Sequence, residues 1–201
     1  MKTVITSCGP FREFEFNPNN QVMKAIWSGM RESQIPDNEY VSGKLNVSWA
    51  EVDQFLQRLS PHSFDLFIHL GFVPGSNQMS IDTSGSSDAA GKDVHNSEPD
   101  YSIFCTSESK IAVPLPFEGL CKFLAEHPEV VISDNAGRYL CNYMCFRAIE
   151  INGDKAQVLF IHITDNRNEA TAPGIERQAD LVLEIRHILH TCGQQAIIQN
   201  N

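Results

Sequence analysis

Phe64-Asp65-Leu66-Phe67-Ile68-His69-Leu70 is an almost continuous apolar strand, the pattern of a sheet covered on both faces. Just upstream, Ser48-Trp49-Ala50-Glu51 reads as a capping box, opening a helix with Val52, Phe55, Leu56 and Leu59 on one face. Residues 40–47 alternate like a strand, and Asn17-Pro18-Asn19-Asn20 starts a helix carrying Val22, Met23, Ala25 and Ile26. The chain opens with Lys2-Thr3-Val4-Ile5-Thr6, a β-rich run ending in the turn Ser7-Cys8-Gly9-Pro10. Downstream, the patterns predict helices over 117–127, 137–149 and 175–191, and strands over 130–133 and 157–163. Ala179, Val182, Ile185 and Leu189 form the buried stripe of the last helix, and residues 193–201 are expected to fray. Between 75 and 101, Gly, Ser, Asp and Asn dominate, and only Met79-Ser80-Ile81-Asp82 looks ordered. This stretch is expected to be a surface excursion over the sheet. Strands alternating with helices predict the α/β class: a single-domain α/β/α sandwich over 1–201 with a mostly parallel twisted sheet.

A chain of 201 residues suits one domain, and 42% hydrophobic with 20% charged residues is ordinary for a soluble protein. No apolar run approaches the roughly 20 residues of a membrane helix. The N-terminus reads as a first strand rather than a signal peptide, which predicts a cytoplasmic protein. The six cysteines (8, 105, 121, 141, 145 and 192) sit mostly in apolar segments and are expected to be thiols in a reducing compartment. None forms a CxxC pair, and no histidine at helix spacing joins Cys141 and Cys145, so neither a metal nor a cofactor is expected. Glu184, His187 and His190 could mimic a metal face, but an ordinary amphipathic helix end explains them. A net charge of −10 repels phosphate backbones and anionic lipids, which excludes nucleic acid and membranes as expected partners.

Reactive residues gather at three strand ends, where open α/β sheets place their sites. Residues 130–133 run into Cys141, residues 157–161 end at His162, and residues 64–70 end at Gly71-Phe72. At the start of a helix, unpaired amides and the helix dipole favour a thiolate at Cys141 and can receive an oxyanion. His162 can take the thiol proton. Taken alone, a core cysteine and a satisfied histidine explain the pattern more simply.

The surrounding residues favour the chemical reading. Ser133-Asp134-Asn135-Ala136-Gly137-Arg138-Tyr139-Leu140-Cys141-Asn142-Tyr143 closely resembles the nucleophile segment of the pyroglutamyl peptidase I family, and Phe160-Ile161-His162-Ile163 resembles its base segment. Weaker matches at the first strand, at Pro10-Phe11 with Asn17-Pro18, and at His69-Leu70-Gly71 extend the resemblance along nearly the whole chain. It implies a cysteine exopeptidase acting on peptides with a blocked N-terminus, hydrolysing the amide after a terminal pyroglutamyl residue. Cys141 would be the nucleophile and His162 the base. Phe11 would line the lactam slot, with backbone near Gly71 and Phe72 as a second contact. Relatives include monomers and tetramers, so the resemblance leaves the oligomeric state open.

The departures cluster at the pocket. Where the family carries its third catalytic carboxylate as a glutamate, this chain has Asp82, one methylene shorter; a solvated loop aspartate is an equal reading. Ser7 replaces a glycine and Cys8 replaces a slot aromatic, and a family arginine has no counterpart between 75 and 101. These changes imply altered specificity or reduced activity. The alternative is a weakly active or non-catalytic relative that binds a capped N-terminus or a protein partner.

Overall fold

The computed structural model describes residues 2–9, 17–33, 40–59, 64–103, 109–113, 117–152, 156–165 and 174–199. In chain order the elements are β1 (Thr3–Cys8), α1 (Asn19–Glu32), β2 (Tyr40–Leu45), α2 (Trp49–Leu59), β3 (Leu66–Phe72), β4 (Met79–Asp82) and β5 (Ser84–Ser86). There follow β6 (Lys110–Ala112), α3 (Phe117–Glu126), β7 (Val130–Ser133), α4 (Leu140–Asn152), β8 (Gln157–Ile163) and α5 (Ile175–Gln199). The main sheet runs β2-β1-β3-β8-β4-β7, and β5 and β6 form a separate antiparallel ribbon.

The first four strands in that order are parallel, but β4 is antiparallel to β8, and β7 is parallel to β4. The carboxyl end of β7 therefore points opposite to that of β8. The expected gathering of three strand ends holds for β3 and β8 but not for β7. The stretch expected to ride over the sheet instead inserts Met79–Asp82 between β8 and β7, with Met79 and Ile81 fully buried.

Strand alternation sorts the core into two layers. Ile5, Leu66, Ile68, Leu70, Met79, Ile81, Leu159, Ile161 and Ile163 face one way, into a cluster shared with α1, α3 and α5. Val4, Cys8, Phe67, Val158 and Phe160 face the other way, towards α2 and α4. Thr6, His69, Gly71, Asp82 and His162 fall in this second phase. The strand-borne polar groups of the site thus face the same layer as α4.

Some boundaries moved for identifiable reasons. Helix α4 starts at Leu140 rather than 137, because Gly137 has φ +78°, a left-handed conformation that interrupts a helix. The capping box at α2 does not close on itself. Glu51 accepts from Asn46 N and Nδ2 (3.1 and 2.7 Å), while Asp93 Oδ2, from far along the chain, accepts from Trp49 N at 3.1 Å. Helix α5 continues through Gln199, where fraying was expected. Among the described residues, no helix is long and apolar enough to cross a membrane.

Candidate active site

Cys141 is the second residue of α4, half-buried, at the end of a helix whose first-turn amides lack intrahelical partners. His162 is the penultimate residue of β8 and pairs in register with Gly71 of β3 and Ser80 of β4. Asp82 lies diagonally across from His162 on antiparallel β4, opposite Phe160. It is 0% exposed, which removes the reading as a solvated loop aspartate. Its Oδ2 lies 2.8 Å from His162 Nδ1, so the shorter side chain reaches the ring because its own strand carries it there. The approach is close but imperfectly directed, and Asp82 Oδ1 meets no donor among the described residues.

The electrostatics follow from this placement. Burial works against a charged His162, but hydrogen bonds to Asp82 and Cys141, together with their charges, more than offset it and lift its pKa to about 10. The ring is therefore protonated at neutral pH, and an imidazolium stabilises a neighbouring thiolate. Gly71 is required beside it. A Cβ there would stand 2.6 Å from Phe160 Cζ and 2.7 Å from His162 Cδ2, inside van der Waals contact.

A second imidazole sits one strand away. His69 is 0% exposed, with Thr6 Oγ1 2.6 Å from Nδ1 and Cys8 Sγ 3.5 Å from Nε2. Burial first, and the charge of His162 second, lower its pKa to about 3, so it is neutral. The Phe160 ring stands between the two imidazoles, 5.0 Å from His69 and 4.7 Å from His162. Burial pushes the Cys8 thiol up to about 12, which keeps it unreactive.

Cys141 lines a small, largely apolar cleft whose walls also include Cys8, Asn19, Val47, Gly71, Phe72 and Tyr139. Gly71 and Phe72 thus stand where a substrate contact was expected. Phe11 lies outside the described residues.

Long-range bonds hold the loop before α4 and the helix itself. Asn142 clasps β5, accepting from Ser86 N and donating to Ser86 O, both at 2.7 Å. Tyr143 donates from its hydroxyl to Asp53 Oδ2 at 2.7 Å, and Arg147 Nε to Asp53 Oδ1 at 3.1 Å. Arg147 also meets Glu150, and these two acids sustain its charge despite its burial. Removing one member of such a buried pair typically costs about 3–5 kcal/mol. Trp49 packs edge-on against Tyr139 and Tyr143, with ring centres at 5.4 and 5.1 Å. Its backbone and indole bind Asp93 and Ser97 of the polar stretch. Ala90 N donates to Arg138 O at 2.6 Å, and Tyr139 Oη to Lys92 O at 2.8 Å.

The stretch 84–97 is thus a brace for the nucleophile, a role that composition did not disclose. His69 had only one advance signal, its strand phase with Gly71. On the far helix, Glu184 pairs with His127 at 3.2 Å, rather than with the His187 and His190 that sequence spacing had set beside it.

A family profile described as pyroglutamyl peptidase matches residues 1–170. The chain belongs to the pyroglutamyl peptidase family. The pyrrolidone-carboxylate peptidase of Thermosipho melanesiensis is 26% identical over 180 residues, covering 84% of this chain and 85% of that protein. The Pyrococcus furiosus protein of the same name is 27% identical over 175 residues, covering 81% and 80%. Among solved structures, the pyrrolidone carboxyl peptidase of Thermococcus litoralis has TM-score 0.79 at 22% identity, covering 97% of this chain and 96% of that one. The Thermus thermophilus structure has TM-score 0.77 at 18% identity, covering 93% and 99%. At these identities the structures attest the fold, and the profile attests the family. Pyroglutamyl peptidase family membership therefore agrees with the resemblance drawn from the segments around Cys141 and His162.

Proposed function

We propose that this chain is a cysteine exopeptidase that hydrolyses the amide bond after an N-terminal pyroglutamyl residue. The observation that carries the reading is a single imidazole, His162, that feels the charge of Cys141 on one side and lies 2.8 Å from buried Asp82 on the other.

In the proposed reaction the Cys141 thiolate attacks the pyroglutamyl carbonyl carbon, and the oxyanion forms beside the first-turn amides of α4. His162 then gives its proton to the departing amine as the C–N bond breaks, leaving a thioester at Cys141. Neutral His162 takes a proton from water, and the hydroxide attacks the thioester to release pyroglutamate and restore the ion pair. Asp82 holds the ring in orientation and stabilises its charge. The cleft suits a small neutral cap, because besides the nucleophile no charged side chain is among its described wall residues. Residues 1–201 act as one catalytic unit in this reading, in a reducing compartment such as the cytoplasm. Five cysteines among the described residues are free, in keeping with that address. Assembly of the three residues gives a purely binding role no support.

The test is release of coumarin from a pyroglutamyl-coumarin amide under reducing conditions by wild type and Cys141→Ala. Turnover in wild type that is lost in the variant supports the reading; no turnover from folded wild type refutes it.

A further inference from the structure

We propose that the side-chain oxygen of Asn19 accepts the ring N–H of the substrate's terminal lactam, making Asn19 the residue that selects a lactam over other five-membered caps. The inference rests on the cleft being the acyl site described above.

Asn19 is the first residue of α1 and is 0% exposed. Its backbone N–H donates to Asn17 Oδ1 at 3.0 Å, and its Nδ2 donates to Leu70 O at 3.1 Å. The second bond sets the orientation of the amide. The group facing a carbonyl must be the NH₂, so the oxygen faces the other way. That oxygen is buried and meets no donor among the described residues, although Asn19 is a wall of the cleft that exposes Cys141. Buried acceptors are rarely left unpaired, and one at a binding cleft points to a donor on the ligand.

The other polar wall side chains are already committed. Asn17 donates to Cys8 O and Gly9 O and accepts from Asn19 N. Cys8 faces His69, and the Tyr139 hydroxyl donates to Lys92 O. The ligand group that fits is an N–H donor without charge. An ammonium, as in a prolyl terminus, would enter a cleft with no carboxylate among its described wall residues; a lactam brings the donor and stays neutral.

The experiment compares two coumarin amides on the full-length enzyme: the pyroglutamyl compound and its carbocyclic analogue, an oxocyclopentane-carbonyl amide with a methylene in place of the ring N–H. The ratio of their kcat/KM values is measured for wild type and Asn19→Leu. Wild type is expected to favour the lactam, and Asn19→Leu to lower the ratio by about 10–100-fold, the loss of one buried hydrogen bond. Comparing ratios cancels the intrinsic reactivity of the two substrates, and a merely structural loss would lower both rates together. An unchanged ratio in Asn19→Leu overturns the proposal. If that variant does not fold, the same ratio is measured for Asn19→Ala: a lowered ratio supports the proposal, and an unchanged ratio, or equal use of both substrates by wild type, overturns it. Failure of wild type to cleave either substrate would instead overturn the peptidase reading and this inference with it.

Discussion

Replacing Asp82 with Asn keeps the shape of the side chain and removes the charge that faces His162. Wild-type His162 holds its proton to about pH 10, because Asp82 and Cys141 together outweigh the burial of the ring. Without the carboxylate, burial is opposed by Cys141 alone, and the pKa of His162 falls. The amide also offers the ring an NH₂ as readily as an oxygen, so the ring can be held in the wrong tautomer. Losing one member of a buried pair costs about 3–5 kcal/mol. Separately, with the ring held in the wrong tautomer and its charge less stabilised in the transition state, kcat is expected to fall roughly 10²–10⁴-fold. KM should change little, because Asp82 is not a wall of the cleft. The assay is kcat and KM for the pyroglutamyl-coumarin amide across neutral and alkaline pH. The alkaline limb of the wild-type profile should move to lower pH in Asp82→Asn. Linkage supplies a second readout. A ring whose folded pKa is raised contributes stability that is whole below its ordinary value of 6.5 and is lost as pH rises through about 10. Asp82→Asn should therefore narrow the stability gap between mildly acidic and alkaline buffer. A variant with near wild-type kcat and an unmoved alkaline limb would refute the coupling.

Other substitutions test the scaffold. Gly71→Ala forces a methyl against Phe160 and His162, and is expected to cost about 1–3 kcal/mol of stability, read in urea unfolding, with at least a tenfold loss of kcat/KM. Asp93→Ala removes the acceptor of the Trp49, His95 and Ser97 amides, and is expected to destabilise by about 1–3 kcal/mol. Burial raises the Asp93 pKa, but these bonds and Ser48 lower it further, so the folded carboxyl lies below its ordinary 3.8. Its contribution is present above that value and lost as pH falls through the folded one, so wild type and Asp93→Ala should converge in stability in acid.

Much of this was legible in the sequence because it rests on local pattern. The apolar runs at 64–70, 130–133 and 157–163 became β3, β7 and β8, the first shifted to Leu66–Phe72 and the latter two with the expected bounds. Cys141 at a helix start and His162 at a strand end were likewise local facts, and the two are brought together. What stayed hidden rests on distant partners. A strand's direction is not written in its own residues, so antiparallel β4, and the depth at which it buries Asp82, could not be read. The Ser, Gly and Asp of 84–97 resemble a solvated loop, because polar side chains look alike whether they bind water or backbone. Here they bind backbone: Asp93 holds three amides, and the Ser86 hydroxyl donates to Ser109 O. The capping box failed because Ser48 N, which local spacing assigns to Glu51, donates to Asn46 O, while Glu51 turns to Asn46 and a distant aspartate holds the Trp49 amide. Asn19 reads as an ordinary helix-start residue until its amide is seen to meet Leu70 on one side only.

The most direct test of the central claim is intact mass of enzyme quenched in acid during turnover of a pyroglutamyl active ester, followed by peptide mapping. The account predicts one pyroglutamyl group on Cys141, absent in Cys141→Ala, and accumulating when His162→Ala slows deacylation. A label on another residue, or turnover that survives Cys141→Ala, would contradict it.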